Sequence, residues 1–325
     1  MIEHMLFFPY TLKFHARKLF DYLMSQHTRS VLNIIGEPID VVWSFDLSNI
    51  YRFRSFKDVR LKIFHPVDEP LDKHAIQAAK GSDVIFSVTR EILEKYDGFR
   101  IPKFFINHGI IDEFIQGKGN EPSKKDDKTR VGLSGNFTRS DIDYPTIFQI
   151  VEENPEVIFE FFGAYTSSQS NIGGGNNKDI ACFVDDLLKK RNTVFHGPVK
   201  AAILPQEYRR MDAFLICYDI KKDQSKGTNY YKIMEFISTG KVIVSNNVTT
   251  YNGKPELLMM PESRENNKEL PALFSEVINQ LEFYNSTELK EKRISFALDN
   301  TYTRQIERIE CDRRVGVIIA KQRFI

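Results

Sequence analysis

The sequence has 325 residues, of which 42% are hydrophobic and 27% are charged, so it has room for two soluble domains of ordinary size. Its 45 Lys and Arg residues balance 44 Asp and Glu residues, which excludes a global positive charge that would bind nucleic acid or an anionic membrane. The cysteines are widely separated, which argues against structural zinc or a disulfide framework and predicts a reducing, cytoplasmic setting; they are Cys182, Cys217 and Cys311.

The first 35 residues contain His, Lys and Arg throughout, so they predict neither a signal peptide nor a membrane span. Within them, residues 5–24 predict an apolar strand or loop followed by an amphipathic helix. We expect four side chains of this stretch to pack into a core, and contact of residues 14–20 with lipid is the alternative. The four are Phe14, Leu19, Leu23 and Met24.

Short runs rich in β-branched and aromatic residues alternate with helix-like stretches from residue 39 onward. This order is typical of parallel sheets wrapped by helices, so we predict an α/β fold. Because the runs are continuously apolar, both faces of each strand are expected to be covered. The predicted strands are 39–45, 60–65, 83–88, 103–109, 130–135, 157–163, 192–197, 212–218 and 241–246.

Two polar stretches interrupt this alternation. Residues 116–128 contain no apolar side chain and predict an exposed linker, so we place the domain boundary there. Residues 166–179 predict a loop. Gly173 to Gly175 within it resemble a phosphate-binding loop, but no Lys-Ser or Lys-Thr pair follows them, so a plain flexible loop is preferred.

The segment 227–247 carries the most informative pattern. Residues 227–229 predict a loose turn with an N-cap, and residues 230–239 predict a short helix that Gly240 ends. A helix that starts at the ligand-binding edge of a sheet offers free N–H groups and a positive dipole end, which suit a diphosphate. Glu235 then lies where its carboxylate can accept hydrogen bonds from two vicinal ribose hydroxyls, and a solvated surface carboxylate is the alternative.

The same segment resembles the signature K-x-x-E-(Y/F)-x-(A/S)-x-G-K-x-V-(I/V) of the group 1 family of retaining glycosyltransferases. The matching residues are Lys232, Glu235, Phe236, Ser238, Gly240, Lys241 and Val244. The resemblance implies an α/β, GT-B architecture in which two Rossmann-like domains have parallel sheets that face each other across a cleft. It places an acceptor-side domain at 1–120, a nucleotide-sugar donor domain at 121–300, and a helix and tail at 301–325 that pack back toward the first domain.

Two segments upstream resemble other parts of the family's donor domain. In residues 195–220, the loop at 196–199 corresponds to the one that brackets the nucleobase, and Tyr218 begins the loop that faces the sugar. An ordinary strand, helix and strand is the alternative interpretation. Further upstream, residues 134–136 correspond to the Gly-containing loop that approaches the donor phosphates, and Arg139 is the implied cation for the diphosphate.

The resemblance covers residues 35–310. Weaker matches in the N-terminal half and near the C-terminus are Asp68-Glu69, Ser82-Asp83, Thr89, Asn107 to Gly109, Phe114, Tyr302 and Arg304. The sequence also departs from the family's pattern. Gly227 stands where many members have a first Glu, and residues 1–38 lack the strand, Gly-rich turn and long helix that open the family's first domain, so we expect an N-terminally truncated acceptor domain.

The implied reaction transfers a sugar from a nucleoside-diphosphate sugar, of the UDP or GDP type, to an acceptor hydroxyl with retention of configuration. The implied catalytic residues are Arg139, Lys232 and Glu235, and no metal or other cofactor is expected because these groups and the helix start stabilise the leaving diphosphate. The implied donor contacts are Gly135, Asn136, Gly197, Val199, Tyr218, Thr228, Asn229, Tyr230 and Glu235.

The implied acceptor is a sugar or a lipid-linked saccharide in surface polysaccharide or lipopolysaccharide synthesis. This predicts a cytoplasmic protein, with peripheral contact at the inner membrane face as an option and no nucleic acid partner. His65, His74 and His108 are candidates for acceptor contacts, although structural roles are preferred. Asp141-x-Asp143 resembles a metal-binding DxD motif, but its place at a predicted helix start favours N-terminal helix charge.

Two alternatives stay open. The missing opening unit and the absent first Glu favour a non-catalytic or decayed GT-B protein that binds a sugar nucleotide. A sugar-nucleotide epimerase shares the architecture, but its paired acidic residues and its base are not recognisable in this sequence.

Overall fold

The computed structural model describes residues 5–115, 127–169 and 178–311. The chain divides into two compact units: the first contains the residues up to Asn107 and those from Ile306 onward, and the second is His108–Gln305. The second unit thus begins upstream of the predicted boundary at 120. Most of the predicted linker, 116–126, and the glycine run Gly173 to Gly175 lie outside the described residues.

The first unit begins with helices and continues with alternating strands and short helices. Within the described ranges, no helix of the chain is long and apolar enough to cross a lipid bilayer. In chain order the elements are α1 (Leu12–His15), α2 (Arg17–Ile35), β1 (Val41–Ser44), β2 (Leu61–Phe64), α3 (Lys73–Gln77), β3 (Val84–Ser87), α4 (Arg90–Glu94) and β4 (Lys103–Phe105).

The sheet of the first unit is parallel, in the order β1-β2-β3-β4. Because this order follows the chain without reversal, the described strands contain no topological switch point. Both faces of β2 are covered, with Phe64 in one apolar cluster and Ile63 in the other. In contrast, β1 lies at the edge with Val41 and Trp43 exposed, so the expectation that both faces of every strand are covered is wrong for β1.

Helix α2 buries Phe20 and Met24, which lie one turn apart on the same face. The predicted core contacts Phe14 and Leu19 are wrong, because these side chains are 71% and 48% exposed. Phe14 belongs to the separate helix α1, and the backbone turns at Ala16 (φ −143°, ψ 63°) before α2 begins. Leu19 is one residue out of phase with the buried face of α2.

The remaining strands and helices begin in the second unit, and the residues of the last helix are divided between the two units after Gln305. These elements are α5 (Asp112–Ile115), β5 (Arg130–Ser134), α6 (Tyr144–Glu153), β6 (Ile158–Phe162), α7 (Lys178–Leu188), β7 (Thr193–Gly197), α8 (Leu204–Arg209), β8 (Ala213–Ile216), α9 (Tyr231–Ser238), β9 (Val242–Ser245), α10 (Leu270–Asn279), α11 (Leu281–Tyr284), α12 (Thr287–Leu298) and α13 (Tyr302–Cys311).

The sheet of the second unit is parallel, in the order β7-β6-β5-β8-β9. Alternate side chains of β8 enter different cores, with Leu215 in one apolar cluster and Phe214 in the other, so helices cover both faces. In chain order, β6 and β7 are added on one side of β5, and β8 and β9 are then added on the other side. The strand order therefore reverses between β5 and β8, where sheets of this kind bind ligands at the carboxyl ends. All nine predicted strands are confirmed.

Three glycines occupy neighbouring strand ends at this edge. Gly135 follows β5, Gly163 follows β6, and Gly197 ends β7. The N–H of Gly163 donates to the carbonyl of Gly197 over 2.8 Å, and the N–H of Gly135 donates to the carbonyl of Phe162 over 3.0 Å. A Cβ on Gly163 would lie 1.8 Å from the carbonyl oxygen of Gly135, and its φ is +136°. Only glycine fits at position 163. The carboxyl-end edge of the sheet is therefore formed by main-chain atoms at this position.

We predict that Gly163→Ala lowers the free energy of unfolding of the second unit by about 3 kcal/mol or more, because the added methyl group displaces the strand ends. Urea unfolding followed by circular dichroism measures the change. Gly98→Ala is the matched control, since no atom lies within 4 Å of a Cβ at that position. Equal unfolding midpoints for the two variants would contradict the proposed close contact.

Candidate functional site

Lys232 lies at the point where the strand order reverses. Its Nζ donates a hydrogen bond to the carbonyl oxygen of Ser134, which is the last residue of β5. The same Nζ donates to the hydroxyl of Tyr218, which follows β8, and this N–O distance is 2.5 Å. A Cβ on Gly135 would lie 2.9 Å from the same Nζ. Among the described carboxylates, none forms an ion pair with Lys232. Three residues predicted for the donor site, Gly135, Tyr218 and Lys232, therefore meet at one strand end.

The loop between β8 and α9 is held by the buried carboxylate of Asp223. Its Oδ2 accepts hydrogen bonds from the Gly227 N–H over 2.9 Å and from the Tyr230 hydroxyl over 2.7 Å. The Ser225 N–H donates to Oδ1 over 3.0 Å. The Asn246 side chain, at the end of β9, accepts from the Tyr218 N–H over 3.0 Å. These bonds fix both the start of α9 and the position of Tyr218.

The roles of Asp223 and Asn246 were not predicted from the sequence. The spacing Asp223-x-Ser225-x-Gly227 is a signal for an Asp-stabilised turn, since Asp side chains accept from backbone N–H groups shortly after them. Gly227 has a φ of +63°, which a glycine adopts without strain. The contact of Asn246 with Tyr218 joins residues 28 positions apart, so no local pattern indicates it.

Helix α9 runs from Tyr231 to Ser238 and its N-cap residue is Tyr230. The prediction of an N-cap within residues 227–229 is wrong, because these residues are bound inside the loop. Thr228 is buried, its hydroxyl donates to the carbonyl of Ser225 over 2.8 Å, and Tyr230 points toward Asp223. Asn229 is buried as well. Tyr230 makes no side-chain cap, so its side chain does not cover the N–H groups of the first turn.

Glu235 lies three residues after Lys232 on α9. Burial raises the pKa of its carboxyl to about 7, and the nearby charge of Lys232 opposes this shift. The charge of Glu235 also helps to raise the pKa of Tyr208, whose hydroxyl donates to Ser134 Oγ over 2.7 Å. Within the described ranges, no side chain donates a hydrogen bond to the Glu235 carboxylate. It is an acceptor close to the strand end that Lys232 contacts.

The loop after β5 contains Arg139, which pairs with Asp141; the Nε–Oδ1 distance is 2.9 Å. The hydrogen bonds to Asp141 raise the pKa of Arg139, so the guanidinium stays charged. The carboxylate of Asp141 neutralises this positive charge. Asn136 Oδ1 accepts from the Thr138 N–H over 3.0 Å and shapes the same loop. Asp143 is the N-cap of α6, which confirms its predicted place at a helix start. No group of three metal-binding side chains occurs among the described residues.

The end of β7 supplies the other predicted donor contacts. Gly197 has a φ of +70°, and Val199 is half-buried against a core of the unit. His196 turns toward the sheet, where its Nε2 lies 2.8 Å from Glu160 Oε2. Burial opposes ionisation of Glu160, but hydrogen bonds from His196 and Arg130 keep the pKa of this carboxyl below its ordinary value. Gly197 and Val199 lie two strands away from Lys232.

The three histidines that are candidates for contacts with the acceptor are buried or half-buried. His65 is buried, and Trp43 Nε1 donates to its Nδ1 over 3.3 Å. His74 is half-buried in α3. Burial lowers the pKa of His108 to about 4, and its ring lies 5.7 Å from that of Tyr231. His108 is therefore neutral near pH 7.

The raised pKa of Glu235 predicts a dependence of stability on pH. The unfolded carboxyl loses its proton near the ordinary value of 4.5, whereas the folded one keeps it until about pH 7. The free energy of unfolding should therefore fall as pH rises between these two values and level off above them. Urea unfolding at several pH values should show this fall in the wild type and lose it in Glu235→Gln. The control Glu282→Gln, which changes an exposed carboxyl, should behave like the wild type.

No protein-family model and no curated protein sequence match this chain. Solved structures, in contrast, share its fold. The apo form of WaaB, a lipopolysaccharide outer core galactosyltransferase, is 14% identical with a TM-score of 0.59; the match covers 96% of this chain and 82% of WaaB. Sucrose-phosphate synthase from Thermosynechococcus elongatus is 11% identical with a TM-score of 0.65, and the match covers 93% and 80% of the two chains.

A third similar structure is Anabaena Alr3699/HepE in complex with UDP-glucose. It is 13% identical with a TM-score of 0.62, and the match covers 92% of this chain and 82% of that one. At such identities the likeness establishes the fold. The predicted α/β class with two parallel sheets, of the GT-B type, is confirmed.

Proposed function

We propose that this chain is a glycosyltransferase whose second unit binds a nucleoside-diphosphate sugar at the carboxyl ends of β5 and β8. The single observation that carries the proposal is the position of Lys232, a cation without an ion pair among the described residues, at the reversal of strand order. The titles of the similar structures support the donor class, because HepE is in complex with UDP-glucose and WaaB is a galactosyltransferase.

The diphosphate is assigned to Lys232 and the N-terminus of α9. An ammonium group has three N–H donors. Two of them contact Ser134 and Tyr218, so the third can donate to a phosphate oxygen. The first N–H groups of α9 and its positive dipole end add to this field. Gly135 supplies backbone without a side chain between the ammonium and the ligand.

The ribose is assigned to Glu235 and the nucleobase to the loop at Gly197 and Val199. A carboxylate has two oxygens that can accept from two vicinal hydroxyls, and binding of this kind favours the charged form. Arg139 is the second cation that we assign to the diphosphate. Its guanidinium is bound by Asp141, so contact with phosphate requires this ion pair to rearrange.

In the proposed reaction, the bond between the anomeric carbon and the diphosphate oxygen breaks, and the diphosphate leaves with the electron pair. The acceptor hydroxyl oxygen forms the new bond to the same carbon, and its proton passes to the departing diphosphate. Charge on the leaving diphosphate is stabilised by Lys232, Arg139 and the α9 N-terminus, without a requirement for a metal ion. Retention of configuration is proposed from the resemblance of residues 232–244 to the retaining family.

The acceptor is proposed to be a sugar or a lipid-linked saccharide in the synthesis of a surface polysaccharide or lipopolysaccharide, in the cytoplasm. The name of WaaB, a lipopolysaccharide outer core galactosyltransferase, supports this class. We assign the acceptor to the first unit, as the resemblance implies.

Calorimetric titration with UDP, GDP and uridine tests the donor site. We expect UDP or GDP to bind the wild type, and Lys232→Met to weaken diphosphate binding about 10- to 100-fold because a charged hydrogen bond is lost. Lys232→Met should leave uridine binding unchanged, whereas Glu235→Gln should weaken the binding of UDP and uridine alike. Lys292→Met, a change of an exposed lysine in the same unit, is the control.

The pH dependence of this binding adds a second readout. Affinity for UDP should rise as pH passes from below to above 7, because the carboxylate form of Glu235 is the better acceptor, and Glu235→Gln should lose this dependence. Absence of binding of both diphosphates to the wild type would overturn the proposed function. Equal loss of uridine and UDP binding in Lys232→Met would overturn the role assigned to Lys232.

Retention and metal independence have their own test. Water can replace the acceptor hydroxyl as the nucleophile, so the protein should slowly hydrolyse a bound UDP-sugar. Proton NMR of the released sugar, recorded before it mutarotates, should show the same anomeric configuration as the sugar in the donor. Hydrolysis should proceed equally in the presence and in the absence of EDTA. The opposite anomer in the first product would contradict retention, and loss of turnover in EDTA would contradict the metal-independent mechanism.

A further inference from the structure

A cavity of the first unit lies between α2 and the segment that precedes β2. Its volume is about 670 Å³, which is in the range of ligand-binding pockets. One stripe of α2 forms the first wall, since residues three and four positions apart lie on the same helix face. The residues of this stripe are Lys18, Tyr22, Ser25, Arg29 and Leu32. Residues 54–59 form the opposite wall, and we call the cavity the basic groove.

The charged side chains of the basic groove are unequally paired. Three carboxylates line it, but that of Asp21 is bound by Arg17 over 2.9 Å and by Arg52 over 2.6 Å. The other two belong to Glu37 and Asp58. Within the described ranges, the four cations of the lining form no side-chain hydrogen bond or ion pair; they are Lys18, Arg29, Arg54 and Lys57. The groove therefore has a small excess of positive charge.

The basic groove is long and runs beside β1. Lys18 and Arg29 lie eleven positions apart on α2, which separates their Cα atoms by roughly 16 Å along the helix axis. Near the start of α2, Arg17 Nη2 donates to the carbonyl of Asn49, in the segment after β1, over 3.4 Å. Residues 37–39, which lead into β1, line the other end. The groove therefore extends from the amino end of β1 toward its carboxyl end, where sheets of this kind bind ligands.

The uncharged lining suits a ligand that has hydroxyl groups and an apolar face. Tyr22 lies between the two cations of α2 and is 61% exposed, so its ring can stack on the C–H face of a sugar. The hydroxyls of Ser25 and Ser55 can donate and accept hydrogen bonds. The carboxylates of Glu37 and Asp58 can only accept, so they need a ligand with donors.

We propose that the basic groove binds an acidic saccharide chain, namely the part of the acceptor that precedes the reacting sugar. Its negatively charged groups pair with the cations of both walls, and its hydroxyls donate to Glu37 and Asp58. This inference rests on the proposed function, because it specifies the acceptor of the first unit as a saccharide with several negative charges.

An acidic saccharide fits the basic groove better than two other anions. A small anion such as phosphate cannot span the roughly 16 Å between Lys18 and Arg29. A nucleic acid has a phosphate on every unit, and the carboxylates of Glu37 and Asp58 would repel so dense a charge. A chain with fewer charges and many hydroxyls matches the mixed lining.

Calorimetric titration of the full chain with hexagalacturonate, a linear chain of uronic acids, tests the proposal. Hexagalacturonate should bind, and its affinity should fall as the salt concentration rises. Digalacturonate, which is too short to reach from Lys18 to Arg29, should bind roughly tenfold more weakly because it loses ion pairs. Maltohexaose, a neutral chain of equal unit number, should also bind more weakly than hexagalacturonate.

Variants of the two walls locate the binding. Lys18→Ala combined with Arg29→Ala should weaken hexagalacturonate binding roughly tenfold, since each exposed ion pair contributes up to about fivefold. Lys73→Ala combined with Lys80→Ala is the matched control, because it removes the same charge from exposed positions of the same unit outside the groove. The control should bind hexagalacturonate like the wild type.

Tyr22→Ser separates recognition of sugar from attraction of charge. It should weaken the binding of hexagalacturonate severalfold and should leave the weaker binding of hexaglutamate, an acidic chain without sugar rings, unchanged. Circular dichroism of every variant should match the wild type, since all the changed side chains are exposed.

Four outcomes would overturn the proposal: no binding of hexagalacturonate to the wild type, equal weakening by the control pair, hexaglutamate binding as tight as that of hexagalacturonate, or vesicles containing phosphatidylglycerol that displace hexagalacturonate and lose their binding in the Lys18 and Arg29 variant. The last would assign the groove to lipid. UDP titration of the same samples separates the two proposals. Loss of hexagalacturonate binding with UDP binding intact contradicts only the groove, whereas absence of UDP and GDP binding contradicts the proposed function.

Discussion

The geometry of the proposed donor site depends on hydrogen bonds to one buried carboxylate, that of Asp223. It binds Gly227 and Tyr230 and so sets the path of the chain from β8 into α9. The direction of α9 in turn decides that Lys232 reaches the end of β5. A buried carboxylate is stable only when donors surround it, and the loop supplies three kinds: backbone N–H groups, a serine hydroxyl and a tyrosine hydroxyl.

The charges at the start of α9 fit the proposed donor, which is an anionic ligand that also has hydroxyl groups. Lys232 lies among neutral oxygens, while Glu235 is buried enough for its pKa to rise to about 7. Burial of Glu235 makes ionisation of its carboxyl costly while no side chain of the described residues donates to it. Hydroxyl donors next to the glutamate would offset this cost, and a diphosphate could accept the remaining N–H of the lysine, which is why the proposed donor fits both groups.

The sequence predicted the parts of the fold that short-range patterns determine. Continuous apolar runs such as 241–246 give strands, and the Gly240 that ends α9 has a φ of +74°. Contacts between distant residues were not predictable in this way. Asn246 binds Tyr218, and Asp141 occupies the guanidinium of Arg139, which sequence analysis had assigned to phosphate alone. The exposed Phe14 followed from a backbone turn at Ala16 that no pattern marked.

The glycines at the ends of β5, β6 and β7 have a consequence for engineering. Because Gly163 touches the Gly135 carbonyl, this part of the edge is a main-chain surface whose shape does not change with side-chain identity. Random mutagenesis there would yield misfolded protein rather than altered preference. A library intended to change the donor would keep these three positions constant and vary Tyr218, which follows β8, and Val199, which follows β7.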